Sequence, residues 1–213
     1  MKYIKLFEAF KHHDPYELMI IPPNKKAEMI LLEIYRENPN LSLIQDLITL
    51  GANLDWQDVD RRNQTVLHLS AGFGEIIITQ MLIGSGADVN MQDDKKQTPL
   101  HLAVSSKKTK IVEMLIGAGA DVDIQDHEGW TVLHDAASYG KTEIAKMLID
   151  VGADLNLQDE WGWTPLHYAA EYEQIEVIKM LIGAGGRKDI PTNRGQFPYD
   201  LAENEGVKNL LTP

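Results

Sequence analysis

An all-α solenoid of short helix-turn-helix units is the fold predicted here, and three periodic features predict it. The tetrad Thr-x-Leu-His recurs at Thr65–His68, Thr98–His101, Thr131–His134 and Thr164–His167, each copy 33 residues after the last. Apolar runs follow each tetrad, at Met81-Leu82-Ile83, Met114-Leu115-Ile116, Met147-Leu148-Ile149 and Met180-Leu181-Ile182. A Gly-Ala-Asp block then returns at Gly86-Ala87-Asp88, Gly119-Ala120-Asp121 and Gly152-Ala153-Asp154. A fixed period in this range means stacked supersecondary units rather than one globular core. Such a stack offers a long, shallow, concave surface, which suits partner binding better than enclosed chemistry.

In this frame the chain resembles the ankyrin repeat family, from about residue 27 to the C-terminus. The resemblance implies an ankyrin solenoid of 33-residue helix-turn-helix repeats with short β-hairpin or loop tips. It also implies that the recurring histidines bond backbone groups between neighbouring units.

Residues 1–26 fall outside the repeat. Tyr3, Phe7 and Phe10, with Ile4 and Leu6 beside them, suit one apolar face of a short helix. His12-His13-Asp14-Pro15 then interrupts it, because proline disfavours helix in the residue before it. With a charge of +2, this segment reads as a lid over the first repeat rather than a membrane-surface helix. Residues 27–59 read as a degenerate N-terminal capping repeat, with helices at Ala27 to Arg36 and around Leu43 to Ile48, closed by Gly51-Ala52-Asn53. The interval from Gln57 to Thr65 is two residues longer than that from Gln92 to Thr98, so the first tip is expected to protrude. Full repeats follow at 60–92, 93–125, 126–158 and 159–191. Residues 192–213 form a C-terminal capping repeat, with Phe197-Pro198-Tyr199-Asp200 where the tetrad would stand.

Local chemistry explains the pattern. Pro99 and Pro165 suit the first helical turn, where a missing N–H costs nothing. Thr98 and Thr164 before them can cap that turn. Leu67, Leu100, Leu133 and Leu166 point into the stack, and small residues such as Ala103, Ala136 and Ala169 let the inner helices approach closely. The family places glycine between the two helices of a unit; Gly140 keeps it, but Lys107 and Glu173 replace it. A left-handed backbone there would be strained by a side chain.

Composition closes several functions. The net charge of −12 over 213 residues argues against a nucleic-acid groove, which needs clustered cations. Without cysteine there is no disulfide or thiolate metal site. No apolar run approaches the roughly 20 residues of a membrane span, and the N-terminus is a poor secretion signal, so a cytoplasmic, monomeric protein is expected. The recurring His68, His101, His134 and His167 do not suit one metal. Equivalent positions in stacked repeats lie roughly 8–10 Å apart, whereas zinc holds each nitrogen at about 2.0–2.1 Å. With no phosphate loop, nucleophile elbow or paired catalytic carboxylates, the chain reads as non-enzymatic, with no catalytic, cofactor-binding or metal residues.

In ankyrin arrays the hairpin tips and the exposed side of the inner helices carry most partner contacts. Mapped here, the first full repeat presents Arg61, Arg62, Gln64 and Phe73, and the second is polar, with Lys95 and Ser105 among its residues. The third presents Trp130, Asp135 and Tyr139, and the fourth Trp161, Trp163, Tyr168, Glu171 and Tyr172. Six aromatics thus fall on two adjacent units, and Tyr and Trp dominate interface hot spots. The expected function is a protein-binding scaffold. An inhibitory subunit, or a reader of a cationic side chain held between Trp130, Trp161 and Trp163, are the alternatives.

Overall fold

A computed structural model of the chain describes residues 18–212. The expected face of Tyr3, Phe7 and Phe10 and the His12-His13 pair lie outside the described residues. Among those described, the chain forms helix pairs stacked in sequence order. They are α1 (Pro23–Ile34) with α2 (Leu41–Thr49), α3 (Val66–Phe73) with α4 (Ile76–Gly84), α5 (Pro99–Ser105) with α6 (Thr109–Gly117), α7 (Val132–Ser138) with α8 (Thr142–Asp150), α9 (Pro165–Glu171) with α10 (Ile175–Gly183), and α11 (Pro198–Leu201) with α12 (Glu205–Leu211). Each inner helix packs on the inner helix of the next unit and each outer helix on the next outer helix. One continuous apolar core runs from Leu18 to Leu211.

The start of the array differs from expectation. The first helix begins at Pro23 rather than Ala27, because proline at the first helical position is already set to helical φ. The Lys26 ammonium then donates to the Leu50 carbonyl at 2.6 Å, tying this helix start to the end of α2. Leu18 is buried in the apolar core. The first tip is indeed elongated, into a 3-10 turn at Val59–Arg61.

The inner helices carry the predicted divisions of size. Leu67, Leu100, Leu133 and Leu166 are fully or almost fully buried, as are Ala103, Ala136-Ala137 and Ala169-Ala170. Thr65, Thr98, Thr131 and Thr164 each sit at a helix N-terminus in a reciprocal capping box whose other member is the histidine three residues on. In the last unit Asp200 takes the histidine's place, its carboxylate accepting the Phe197 N–H at 2.8 Å.

The tips are turns, and their only β-bridge among the described residues joins Asp58 to Gln64. An aspartate organises each internal tip. Asp93, Asp126 and Asp159 accept two backbone N–H groups apiece on one carboxylate oxygen, at 2.8–3.0 Å. Successive tips are stitched by backbone bonds: His127 N–H to the Lys95 carbonyl, Glu160 N–H to that of Glu128, and Asn193 N–H to that of Trp161.

Between the helices of each full repeat the chain turns left-handed. Gly140 has φ +59°, and Lys107 and Glu173 adopt the same conformation at +54° and +52°. Glu173 is partly compensated, since its carboxylate accepts the Asn204 N–H of the C-terminal cap at 2.8 Å. Among the described residues the Lys107 side chain makes no hydrogen bond that offsets its strain. A left-handed side chain costs about 1–2 kcal/mol, and glycine's extra chain entropy costs roughly 0.5–1 kcal/mol. Lys107→Gly is therefore expected to be neutral or stabilising by up to about 1 kcal/mol. Gly140→Lys is expected to destabilise, because its Cβ would also fall 2.1 Å from the Gln174 carboxamide oxygen. Urea midpoints of the two variants check both signs.

Candidate functional site

The four histidines are structural, and both ring nitrogens are engaged in every copy. Nδ1 of His68, His101, His134 and His167 accepts the backbone N–H of the capping threonine at 3.0–3.2 Å. Nε2 faces a carbonyl in the next unit's tip, at Gln97, Trp130, Trp163 and Gln196 respectively, 3.0–3.3 Å away. A carbonyl can only accept, so Nε2 carries the proton and the imidazole is neutral. Burial pushes all four pKa values down, that of His134 to about 4. This agrees with the role the family resemblance implied.

Lowered histidine pKa values make stability pH-dependent in a definite direction. The unfolded chain takes up a proton near pH 6.5, where the native imidazole does not, so falling pH favours unfolding. His134 alone should remove roughly 2 kcal/mol between pH 7.5 and pH 5. The urea midpoint should fall over that interval. His134→Ala should flatten the dependence while lowering stability at pH 7.5 by about 1–3 kcal/mol, through unsatisfied buried groups.

The expected aromatic cluster exists, but its members take two different roles. Tyr168 was expected on the open inner face and is instead buried, at 8% exposure. Its ring lies between two tryptophans, 4.4 Å from the Trp130 centroid and 4.8 Å from that of Trp163. Its hydroxyl donates to the second carboxylate oxygen of Asp159 at 2.6 Å. Burial and that carboxylate push the phenol far above its ordinary pKa, so it stays a donor. Trp130 and Trp163 are half-buried by this stack, and Trp130 Nε1 is shielded without a hydrogen-bond acceptor. The cage imagined between Trp130, Trp161 and Trp163 is thus filled from within by Tyr168.

The open members are Trp161, 49% exposed, Tyr172, 55% exposed, and Tyr139. Trp161 and Tyr172 line a groove of about 420 Å³ together with Glu171, over the stacked rings of Trp130, Trp163 and Tyr168. Its remaining lining is Asn193, Arg194 and Gln196, which the sequence reading missed. The spacing could have found them: Arg194 and Gln196 lie 33 residues after Trp161 and Trp163, at the tip of the capping unit. Asp135 is not a free rim charge. It pairs with the buried Lys141 ammonium at 2.7 Å, and that ammonium lies 4.8 Å from the Tyr139 ring centroid.

At the other end of the array, Phe73 meets Tyr35 edge-on at 5.2 Å. Arg61 lies over the same Tyr35 ring and pairs with Asp58. The second full repeat between these ends presents Lys95, Ser105 and Ser106 without an aromatic anchor.

Comparison with known proteins fits this architecture. The family model for ankyrin repeats (three copies) matches residues 31–126 and 111–192. The chain belongs to the ankyrin repeat family, whose members are generally protein–protein interaction modules. A comparison with curated proteins returned no match. No helix among the described residues is long and apolar enough to cross a membrane.

Tyr168 joins the tip to the inner helix, which gives a direct test. Tyr168→Phe leaves one Asp159 oxygen without its donor and should cost about 1–3 kcal/mol. Tyr168→Ala should cost more and should shift tryptophan emission to longer wavelength, because both indoles lose their packing. Denaturation followed by fluorescence reads both effects.

Proposed function

We propose that this protein is a non-enzymatic scaffold that docks a partner protein on the C-terminal half of its concave face and tips. The observation that carries the reading is the groove floored by the Trp130–Tyr168–Trp163 stack and flanked by exposed Trp161 and Tyr172. Aromatic anchors beside a preformed pocket are the usual source of binding energy at protein interfaces. Here the floor is held by the Asp159 hydrogen bonds before any partner arrives, so little ordering entropy is lost on docking. Glu171 beside the anchors adds a negative charge that favours a partner with basic character.

Binding energy is expected to be polarised along the array. Against a partner isolated by affinity capture, Trp161→Ala and Tyr172→Ala should each cost on the order of 2 kcal/mol or more. Lys95→Ala and Ser105→Ala should cost under about 0.5 kcal/mol. Trp163→Ala should weaken binding and stability together, because its ring supports Tyr168. Isothermal titration with the folded variants decides this. Affinity indifferent to Trp161 and Tyr172 but lost in Phe73→Ala or Arg61→Ala would move the site to the other end.

A further inference from the structure

The third and fourth full repeats solve the same local problem in two ways, and the difference points to a ligand chemistry. In the third, the Lys141 ammonium lies against the Tyr139 ring, donates to Asp135 and reaches the Ser105 carbonyl at 3.4 Å. An aromatic face, a carboxylate and a helix-end carbonyl therefore hold an internal cation, itself buried at 8% exposure. Moving 33 residues on, Tyr139 becomes Tyr172, Ser105 becomes Ser138 and Lys141 becomes Gln174. Gln174 keeps the carbonyl bond, from Nε2 to the Ser138 oxygen at 3.4 Å, but brings no charge. The carboxylate also returns, displaced from the Asp135 position, now Tyr168, to Glu171 at the end of the same helix. The fourth repeat thus keeps the aromatic ring and an acid and lacks the cation.

We propose that Tyr172 and Glu171 receive a lysine or arginine side chain from the partner, which takes the part that Lys141 plays one repeat earlier. The inference rests on the docking surface proposed above and specifies what enters it. Both residues line the groove and are exposed, so the ring face is reachable. An ammonium or guanidinium over an aromatic ring is attracted by the ring's negative face, and a neighbouring carboxylate strengthens the preference. The groove's own cation, Arg194, stands in the tip of the capping unit and lines the same groove, and among the described residues it forms no ion pair with Glu171. The chain's net charge of −12 further favours approach of a basic segment.

The test uses the intact protein and two blocked pentapeptides, Gly-Gly-Lys-Gly-Gly and its isosteric, uncharged norleucine counterpart. Nuclear magnetic resonance titration should show the lysine peptide shifting Tyr172 and the Trp161 indole, with affinity about fivefold above that of the norleucine peptide. Glu171→Gln should erase most of that preference. Gln174→Lys, which returns an ammonium to the position that Lys141 holds one repeat earlier, should fill the site from within and abolish the lysine-peptide shifts. Gln174→Met, of similar length but uncharged, should leave them intact, and melting curves confirm that both variants are folded. Equal affinity for the two peptides would overturn the cation assignment while leaving the docking surface standing. Absence of shifts with either peptide, or unchanged binding in folded Gln174→Lys, would also overturn it. Failure of the docking surface itself is read separately, from partner titrations of Trp161→Ala.

Discussion

A neutral imidazole spanning two units is the interaction on which this array depends. Each histidine uses Nδ1 to close the N-terminus of its own inner helix and Nε2–H to hold the next unit's tip. One side chain therefore fixes the start of a helix and the register of its neighbour at once. The bond to the tip carbonyl is partly buried, so little water is at hand to replace the imidazole once it is lost. Because the ring works only in the neutral form, the same burial that strengthens the bond also makes it sensitive to acid.

The candidate site inherits its rigidity from that stitching. Trp130 and Trp163 supply the carbonyls that His101 and His134 hold, so each indole grows from a backbone clamped to the preceding unit. Asp159 then gathers two tip N–H groups and the Tyr168 hydroxyl, which locks the tip to the inner helix below. A floor built in this way stays in place while the exposed rings of Trp161 and Tyr172 remain available. The second full repeat has equivalent backbone bonds but Gln97 where the tryptophans stand, and its surface is correspondingly plain.

Most of the fold was legible in the sequence because a strict 33-residue period repeats every packing decision. The Thr-x-Leu-His tetrad announced the capping boxes, and the left-handed turns at Lys107 and Glu173 followed from the glycine they replace. The site was legible only in part. Periodicity assigns a residue to a position, yet exposure at that position depends on what its neighbours carry. Leu69, Leu102 and Asp135 occupy the same register as Tyr168; Leu69 is buried and the other two are partly buried, so the column foretells a sheltered ring more truly than aromatic character foretells an anchor. Asp135, expected on the partner-facing surface, is instead engaged by Lys141, which lies six residues on, beyond the turn between the two helices. Arg194 was missed because the capping unit was treated as an ending rather than as a further wall. Pro23 began the first helix early because the backbone preference of proline acts without reference to the period.

The carboxylate of Asp200 interrupts the chain of imidazole bonds. Every full unit carries at the start of its inner helix a histidine whose second nitrogen meets a carbonyl in the following copy. Asp200 closes its own helix start through the Phe197 N–H but has no proton to offer onward. The last described unit therefore receives an imidazole bond, from His167 to the Gln196 carbonyl, but passes none on.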